Sequence, residues 1–213
     1  MPLDLFAQDR LVIGDGAMLL NGFALAETDA LIAHIADIAA QAPFRHMETP
    51  GGRRMSVATT SCGALGWTSS PRGYRYAAHD PETGISWPAM PAVFADLAAR
   101  AATEAGYPAF APDACLVNRY ASGTRLTLHQ DRNEIDMAAP IVSVSLGLPA
   151  TFLWGGAVRS DRPRRIALHH GDVMVWGGPA RLTFHGIDTL VSGMHPATGA
   201  YRYNLTFRQA GIS

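Results

Sequence analysis

Apolar residues recur three and four positions apart in two stretches of the chain. In Glu27 to Ala42 (ETDALIAHIADIAAQA), Leu31, Ile32, Ile35, Ile38 and Ala39 fall on one stripe. That spacing predicts an amphipathic helix, with Thr28 placed as its cap. A second helix is predicted over Pro88 to Gly106, with Val93, Phe94, Leu97, Ala98 and Ala101 on one face. Pro88 and Pro91 stand at its start and Gly106 follows its last turn, the asymmetry that helix ends favour. Between the two lies Pro50 to Pro88, rich in Gly, Ser, Thr and aromatic residues. This composition predicts strands joined by loops.

From Ala114 onward the pattern changes to short runs with strand character. They are Cys115–Tyr120, Thr124–His129, Ile141–Leu148, Thr151–Trp154, Arg165–His169, Val173–Trp176, Arg181–Phe184 and Tyr201–Phe207. Ser-Gly, Gly-Gly, His-Gly-Asp and Gly-Gly-Pro turns separate them. Eight short strands with tight turns predict a jelly roll or barrel. The fold class is therefore mainly β with flanking helices (α+β).

Composition narrows the function. The chain has 213 residues, 48 % hydrophobic and 16 % charged, with a formal net charge of -1. These values describe one globular domain and exclude disorder over most of its length. Two cysteines, Cys62 and Cys115, exclude a disulfide framework and a four-thiolate zinc site. No run of 18 apolar residues occurs, and Met1 to Arg10 reads as no export signal. A soluble cytoplasmic protein with no membrane partner is expected. In the absence of a heptad repeat or long apolar edge, a monomer is expected too. All 17 basic residues are Arg. GC-rich coding accounts for most of that bias, although Arg forks also suit carboxylates and phosphates. A net charge near zero argues against strong non-specific nucleic-acid binding but leaves room for a local basic rim.

His-x-Asp occurs twice, and a distant His would complete a facial triad for non-haem iron. His170-Gly-Asp172 lies between two strand-like runs, where Gly171 and Asp172 suit a hairpin turn, so it and His169 read as structural. His129-Gln-Asp131 ends a strand and opens a polar loop, Asp131 to Asp136. In extended chain, residues i and i+2 point the same way, so His129 and Asp131 aim at one point. His185 is the best third ligand and His195 the second choice. On spacing alone, a metal site and a satisfied His beside a surface Asp both remain open. The last strand adds weight. Arg202, Asn204, Thr206 and Arg208 share one face, and an unpaired buried charge is very costly. With the polar pair Asn118 and Tyr120 on another strand, a dicarboxylate partner would explain them together.

These residues carry a resemblance. From Asp113 through Ala210 the chain resembles the AlkB family of iron- and 2-oxoglutarate-dependent oxygenases. The family's His-x-Asp, distant His and Arg-x5-Arg stand as His129, Asp131, His185, Arg202 and Arg208. Asn118-Arg-Tyr120, the run from Pro140 to Pro149, and Tyr203 to Ala210 match as well. So do Pro50-Gly-Gly52 through Leu65-Gly-Trp67, and Trp87 to Pro91. The resemblance implies a double-stranded β-helix core over about 111–213 and an N-terminal nucleotide-recognition lid within about 1–110. It implies Fe(II) as cofactor on the catalytic set His129, Asp131 and His185, with 2-oxoglutarate and O2 as cosubstrates. Arg202, with Asn118 and Tyr120, would meet the distal carboxylate, and Arg208 with Asn204 would serve the metal end. Arg202 and Arg208 lie roughly 20 Å apart along an ideal strand, so they would have to lean toward opposite ends of the cosubstrate.

The implied reaction hydroxylates the alkyl group of an N-alkylated base, such as 1-methyladenine or 3-methylcytosine. Formaldehyde, succinate and carbon dioxide leave. The implied partner is single-stranded or duplex DNA, with RNA also in range, and the base must be flipped or unpaired to react. The resemblance places Trp67 and His129 on either side of the base. Tyr74, Arg75 and Tyr76 would touch the nucleic-acid backbone, and Arg159 would lie near the base. As an alternative, Trp67 and Tyr74 could form an ordinary hydrophobic plug. Two positions depart from the family pattern. Asn133 stands where an Asp is expected and Thr59 where a Met is expected early in the lid, which bears on the lesion spectrum. Two other readings compete: the same fold acting on a protein or small molecule, and a non-catalytic metal-binding jelly roll. The Arg202, Asn204 and Arg208 face argues against the latter.

Overall fold

The computed structural model describes residues 9–211. Positions 1–8, which bear on the reading of no export signal, and positions 212–213 lie outside the described residues. The elements in chain order are β1 (Arg10–Gly14), β2 (Ala17–Leu20), α1 (Thr28–Gln41), β3 (Ala58–Gly63), β4 (Gly66–Ser70) and β5 (Gly73–Ala77). They continue with α2 (Ala92–Glu104), β6 (Ala114–Tyr120), β7 (Leu126–His129), β8 (Ile141–Gly147) and β9 (Ala150–Trp154). The last are β10 (Arg164–Leu168), β11 (Val173–Trp176), β12 (His185–Ile187) and β13 (Arg202–Arg208). Among the described residues, no helix is long and apolar enough to cross a membrane.

The strands form two large sheets. One has the order β1-β2-β11-β8-β13-β6-β3 and the other β10-β9-β12-β7. Strands β6 to β13 are dealt between the sheets in the alternation of a jelly roll, with antiparallel neighbours. The larger sheet buries one face against both helices. Val117, Val142, Val144, Leu205 and Phe207 meet Leu31, Ile35, Ile38, Phe94 and Leu97 there. Phe94 crosses Phe207 edge to face at 5.9 Å. Each fully buried side chain of this size contributes about 1.5–3 kcal/mol. The opposite face meets the smaller sheet, where Tyr120, Ile141, Met174 and Trp176 pack with Phe152, Trp154 and Ile187. The strand β13 lies between β8 and β6, so its polar face opens into the space between the sheets.

Both helices form where the apolar stripes predict them. Thr28 is not a cap: its hydroxyl donates back to the Leu25 carbonyl, and Glu27 at the N-cap makes no side-chain capping bond. The preceding 3-10 turn, Leu25–Glu27, already leads the chain into the helix.

Arg181 to Phe184 is not a strand. It continues a turn in which Arg181 N–H bonds the Gly178 carbonyl and Thr183 N–H the Ala180 carbonyl. The alternation is inverted, with Arg181 buried and Leu182 exposed, because Arg181 finds a buried carboxylate on Glu134. The strand begins one residue later, at His185.

The hairpin β1–β2 was not legible in the sequence, because Leu11 and Val12 face outward and break the alternation. β2 and β3 both join the larger sheet, so the strands before residue 110 share a sheet with those after it. The strands β4 and β5 form a separate two-stranded hairpin beside β3 and β6.

Candidate metal and cosubstrate site

The end of β7 and the start of β12 pair in register, so His129 and His185 face each other with ring centroids 4.4 Å apart. Close strand approach requires Gly186, where a Cβ would sit 2.5 Å from the Leu126 carbonyl oxygen. Each imidazole donates from Nδ1 to a backbone carbonyl, His129 to Thr127 and His185 to Thr183, both at 2.9 Å. That bond fixes the tautomer and leaves Nε2 with a free lone pair. Asp131 brings its two carboxylate oxygens within 3.7 Å of the two Nε2 atoms. The three ligand atoms lie within 4.8 Å of one another. One carboxylate and two neutral imidazoles on one side of a cation is a donor set that suits divalent iron.

Electrostatics keep the set in its ligating state. Burial, reinforced by the neighbouring His129, lowers the pKa of His185 to about 4, so the imidazole is neutral at pH 7. Burial works against the Asp131 charge, but Arg208, His185 and His129 outweigh it and hold the carboxyl well below the usual carboxylate range. Arg208 donates to Asp131 Oδ2 from Nη2 at 2.8 Å and from Nε at 3.2 Å.

Arg202 supplies the test for a dicarboxylate. It is 1 % exposed, and its guanidinium lies 4.8 Å from the centroid of the Tyr120 ring. Nη2 donates to Ser145 Oγ at 3.1 Å, while Nε and Nη1 are buried without a partner. Burial lowers its pKa, so the charge is held at a cost. Two orphaned donors on a buried cation fit a carboxylate. Asn204 and Asn118 lie beside it but are already engaged. Asn204 Nδ2 reaches Ser143 Oγ and the Val144 carbonyl, and its Oδ1 accepts from Asn118 and Thr206.

These groups share one cavity of about 450 Å³ with Trp67, Tyr74 and Asn133. Trp67 stacks on Tyr74 with centroids 5.5 Å apart. Other residues from the sequence reading lie elsewhere. Arg75 pairs with Thr68, one position out of phase with Trp67 and Tyr74, so it projects from the other face of the hairpin. Neither it nor Arg159 lines the cavity. The Tyr76 hydroxyl donates to Glu134 Oε1 at 2.6 Å. Thr59 belongs to β3, is fully buried beside Asn118, and does not line the cavity. His195 stacks near His170 at 4.4 Å, outside the triad. The second His-x-Asp forms a turn, as expected.

Several further residues line or brace the site without a motif to mark them. Exposed Arg53, Arg54 and Arg125 line the cavity mouth. Glu134 and Arg181 form a buried ion pair at 2.9 Å. Nothing local marked them, since Glu134 sits in a run of charged residues that reads as a solvated loop.

Comparison with known proteins agrees with this geometry. Residues 16–208 match the model of the 2OG-Fe(II) oxygenase superfamily. The chain is 57 % identical over 212 residues to the alpha-ketoglutarate-dependent dioxygenase AlkB of Escherichia coli (strain K12), covering 98 % of each chain. It is 48 % identical over 182 residues to an AlkB homolog of Caulobacter vibrioides (strain NA1000 / CB15N), covering 85 % of this chain and 81 % of that one. A solved structure described as OsALKBH1 superposes with a TM-score of 0.82 at 29 % identity, covering 93 % of this chain and all of that one. A 2OG-Fe(II) oxygenase-family oxidoreductase from Burkholderia pseudomallei shares the fold at a TM-score of 0.58 and 16 % identity. With a matching donor set, a buried cation that fits a carboxylate, a superfamily match over residues 16–208 and 57 % identity to the Escherichia coli enzyme over nearly the full length, the chain belongs to the 2OG-Fe(II) oxygenase superfamily and, within it, to the AlkB-type dioxygenases.

Proposed function

We propose that this chain removes alkyl groups from N-alkylated bases in nucleic acid, with 1-methyladenine and 3-methylcytosine as the substrate type. The observation that carries the reading is a juxtaposition. The His129, Asp131 and His185 set, the orphaned guanidinium of Arg202 and the Trp67 ring all open into one cavity. Its volume lies within the ordinary range for small-ligand sites.

In this reading His129, Asp131 and His185 hold Fe(II). Bound there, the metal with 2-oxoglutarate and dioxygen supplies the oxidising power that hydroxylates the alkyl carbon. The protein's residues bind and orient. Arg202 takes the far carboxylate of 2-oxoglutarate, pressed into place by the Tyr120 ring and Ser145. Asn118, Asn204 and Thr206 form a bonded polar floor that fixes the strands beneath the cosubstrate. Arg208 keeps Asp131 ionised and oriented at the metal end.

The β4–β5 hairpin acts as the nucleotide-recognition lid, within the N-terminal half of a single dioxygenase domain. Trp67 and His129 sandwich the flipped base, and a cationic base gains about 0.5–2 kcal/mol from an aromatic face. Tyr74, with Arg75 on the other face of the hairpin, serves the strand that carries the lesion, and Arg159 approaches it from its loop. Asn133 offers an amide where a carboxylate would favour a cationic base, so it bears on lesion choice. The partner is alkylated single-stranded or duplex DNA, with RNA as a further substrate. The enzyme works as a cytoplasmic monomer.

The test is anaerobic loading with Fe(II), then aeration with 2-oxoglutarate and a single-stranded oligonucleotide carrying 1-methyladenine. The expected result is loss of 14 mass units from the oligonucleotide, with matching succinate and formaldehyde. Succinate without loss of mass would reject the nucleic-acid substrate. Neither product would reject the oxygenase assignment of the site.

A further inference from the structure

The loop after the metal-binding carboxylate holds a buried cluster of two acids and two bases. Asp131, Glu134, Arg181 and Arg208 each have a side chain no more than 11 % exposed. Arg181 spends every arm of its fork on this loop. Nε donates to the Ala139 carbonyl, Nη1 to the Asp131 carbonyl and Nη2 to Glu134 Oε2. Glu134 Oε1 faces Arg208 Nε at 3.3 Å and accepts the Tyr76 hydroxyl at 2.6 Å. Tyr76 belongs to β5, and its cross-strand partner is Trp67. A two-stranded hairpin is marginal on its own and takes its orientation from what it touches. Its other anchors lie away from the metal: Trp87 Nε1 on the Ala77 carbonyl, and Ser69 Oγ on the Glu48 carbonyl.

We propose that Glu134 and Arg181 are positioning residues that lock the β4–β5 hairpin to the metal-binding loop through the Tyr76 hydroxyl. The substrate part rests on the reading that this hairpin covers the base. Arg181 shapes the loop and aims Glu134, and Glu134 places the face carrying Trp67 and Tyr74 over His129 and Asp131. The carboxylate is 2 % exposed, so it acts through the phenol and not on the substrate. Its charge also balances the cluster, because without it Arg181 would face no carboxylate and Arg208 only Asp131.

The test compares Tyr76→Phe, Glu134→Ala and Glu134→Gln by hydrogen exchange of amides 66–77 and by the KM for the methylated oligonucleotide. Tyr76→Phe removes one hydroxyl and leaves the buried charges balanced, so it remains informative if Glu134→Ala fails to fold. Tyr76→Phe and Glu134→Ala are expected to speed hairpin exchange and raise KM, each about tenfold, the size of a lost hydrogen bond to a charged group. Glu134→Gln removes the charge opposite Arg181 and is expected to unfold at lower denaturant than Tyr76→Phe. Exchange in α1 stays unchanged in Tyr76→Phe. Hairpin exchange at the wild-type rate in Tyr76→Phe would overturn the lock. Glu134→Gln as stable as wild type would overturn the role given to the Glu134–Arg181 pair. Faster exchange with an unchanged KM would overturn the positioning of substrate. Exchange needs no substrate, so failure on every oligonucleotide would count against the proposed function and leave the lock to be judged by exchange.

Discussion

His129-Gln-Asp131 and His170-Gly-Asp172 share one three-residue pattern but do opposite work. In the second, Asp172 Oδ1 accepts the Gly22 N–H at 2.8 Å and Oδ2 accepts the His169 N–H at 2.7 Å. Gly171 takes a φ of +87° there, and a Cβ would sit 2.7 Å from Leu25. His170 Nδ1 accepts the Gly147 N–H at 2.9 Å. Both side chains of that motif are consumed in closing a turn. In the first, the imidazoles donate from Nδ1 and leave Nε2 free, and Asp131 turns its oxygens toward those nitrogens. The difference lies in which partners the backbone supplies. Amides satisfy a carboxylate and end its chemistry, whereas carbonyls orient an imidazole and leave it a lone pair.

The sharpest way to break this comparison is to remove each acid. Asp131→Ala should lower turnover by about 10³-fold or more, the loss of a metal's charge stabilisation. Mn(II) titration should show weakened binding. Wild-type affinity in that variant would mean that Asp131 is no ligand.

Arg202→Met should raise the KM for 2-oxoglutarate about 100-fold, since two charge-assisted bonds go. Its thermal midpoint without ligand should hold or rise, because a buried cation with two unpartnered nitrogens costs stability. A fall in midpoint with an unchanged KM would make Arg202 structural.

Trp67→Ala should cost about tenfold in kcat/KM on a methylated oligonucleotide, the size of one stacking contact. Succinate formed without substrate serves as the control, and full repair by this variant would remove Trp67 from the site.

Asp172→Ala should lose about 1–2 kcal/mol in a denaturant titration, for two part-buried amides left without an acceptor. Repair per folded molecule should not change, and a loss of repair would bring the second motif into the reaction.

The smallest effect concerns pH. Burial, then the neighbouring His195, lowers the pKa of His170 below its ordinary value of 6.5. The unfolded chain therefore binds the proton more readily. This contribution to stability is complete above about pH 6.5 and is lost as pH falls from there through the folded pKa. Denaturant titrations at pH 8 and pH 5.5 should show a smaller drop for His170→Gln than for wild type. Equal drops would mean that His170 is not held neutral.

Short-range pattern made much of this molecule legible. The stripe of Leu31, Ile35 and Ile38 names α1, and the alternation in Arg202 to Arg208 puts four polar side chains on one face. Both follow from fixed periods of 3.6 and 2 residues. The pattern misled where a polar residue found a distant partner. Arg181 pairs with Glu134 across 47 positions, and this buried contact turns an apparent strand into a turn. It also hid Glu134 itself, since an acid among charges reads as solvated until its neighbours in space are known.

The sequence by itself determined both helices, most strands after residue 114, the family resemblance and the residue types of the donor set, because side-chain period and ligand chemistry are local properties. The tertiary structure alone decided which guanidinium is left unpartnered. It also decided that Tyr76 turns to Glu134, and that Arg75 and Arg159 lie outside the cavity. Those outcomes depend on partners 50 to 150 positions away, and only the packing of two sheets brings such partners within hydrogen-bond reach.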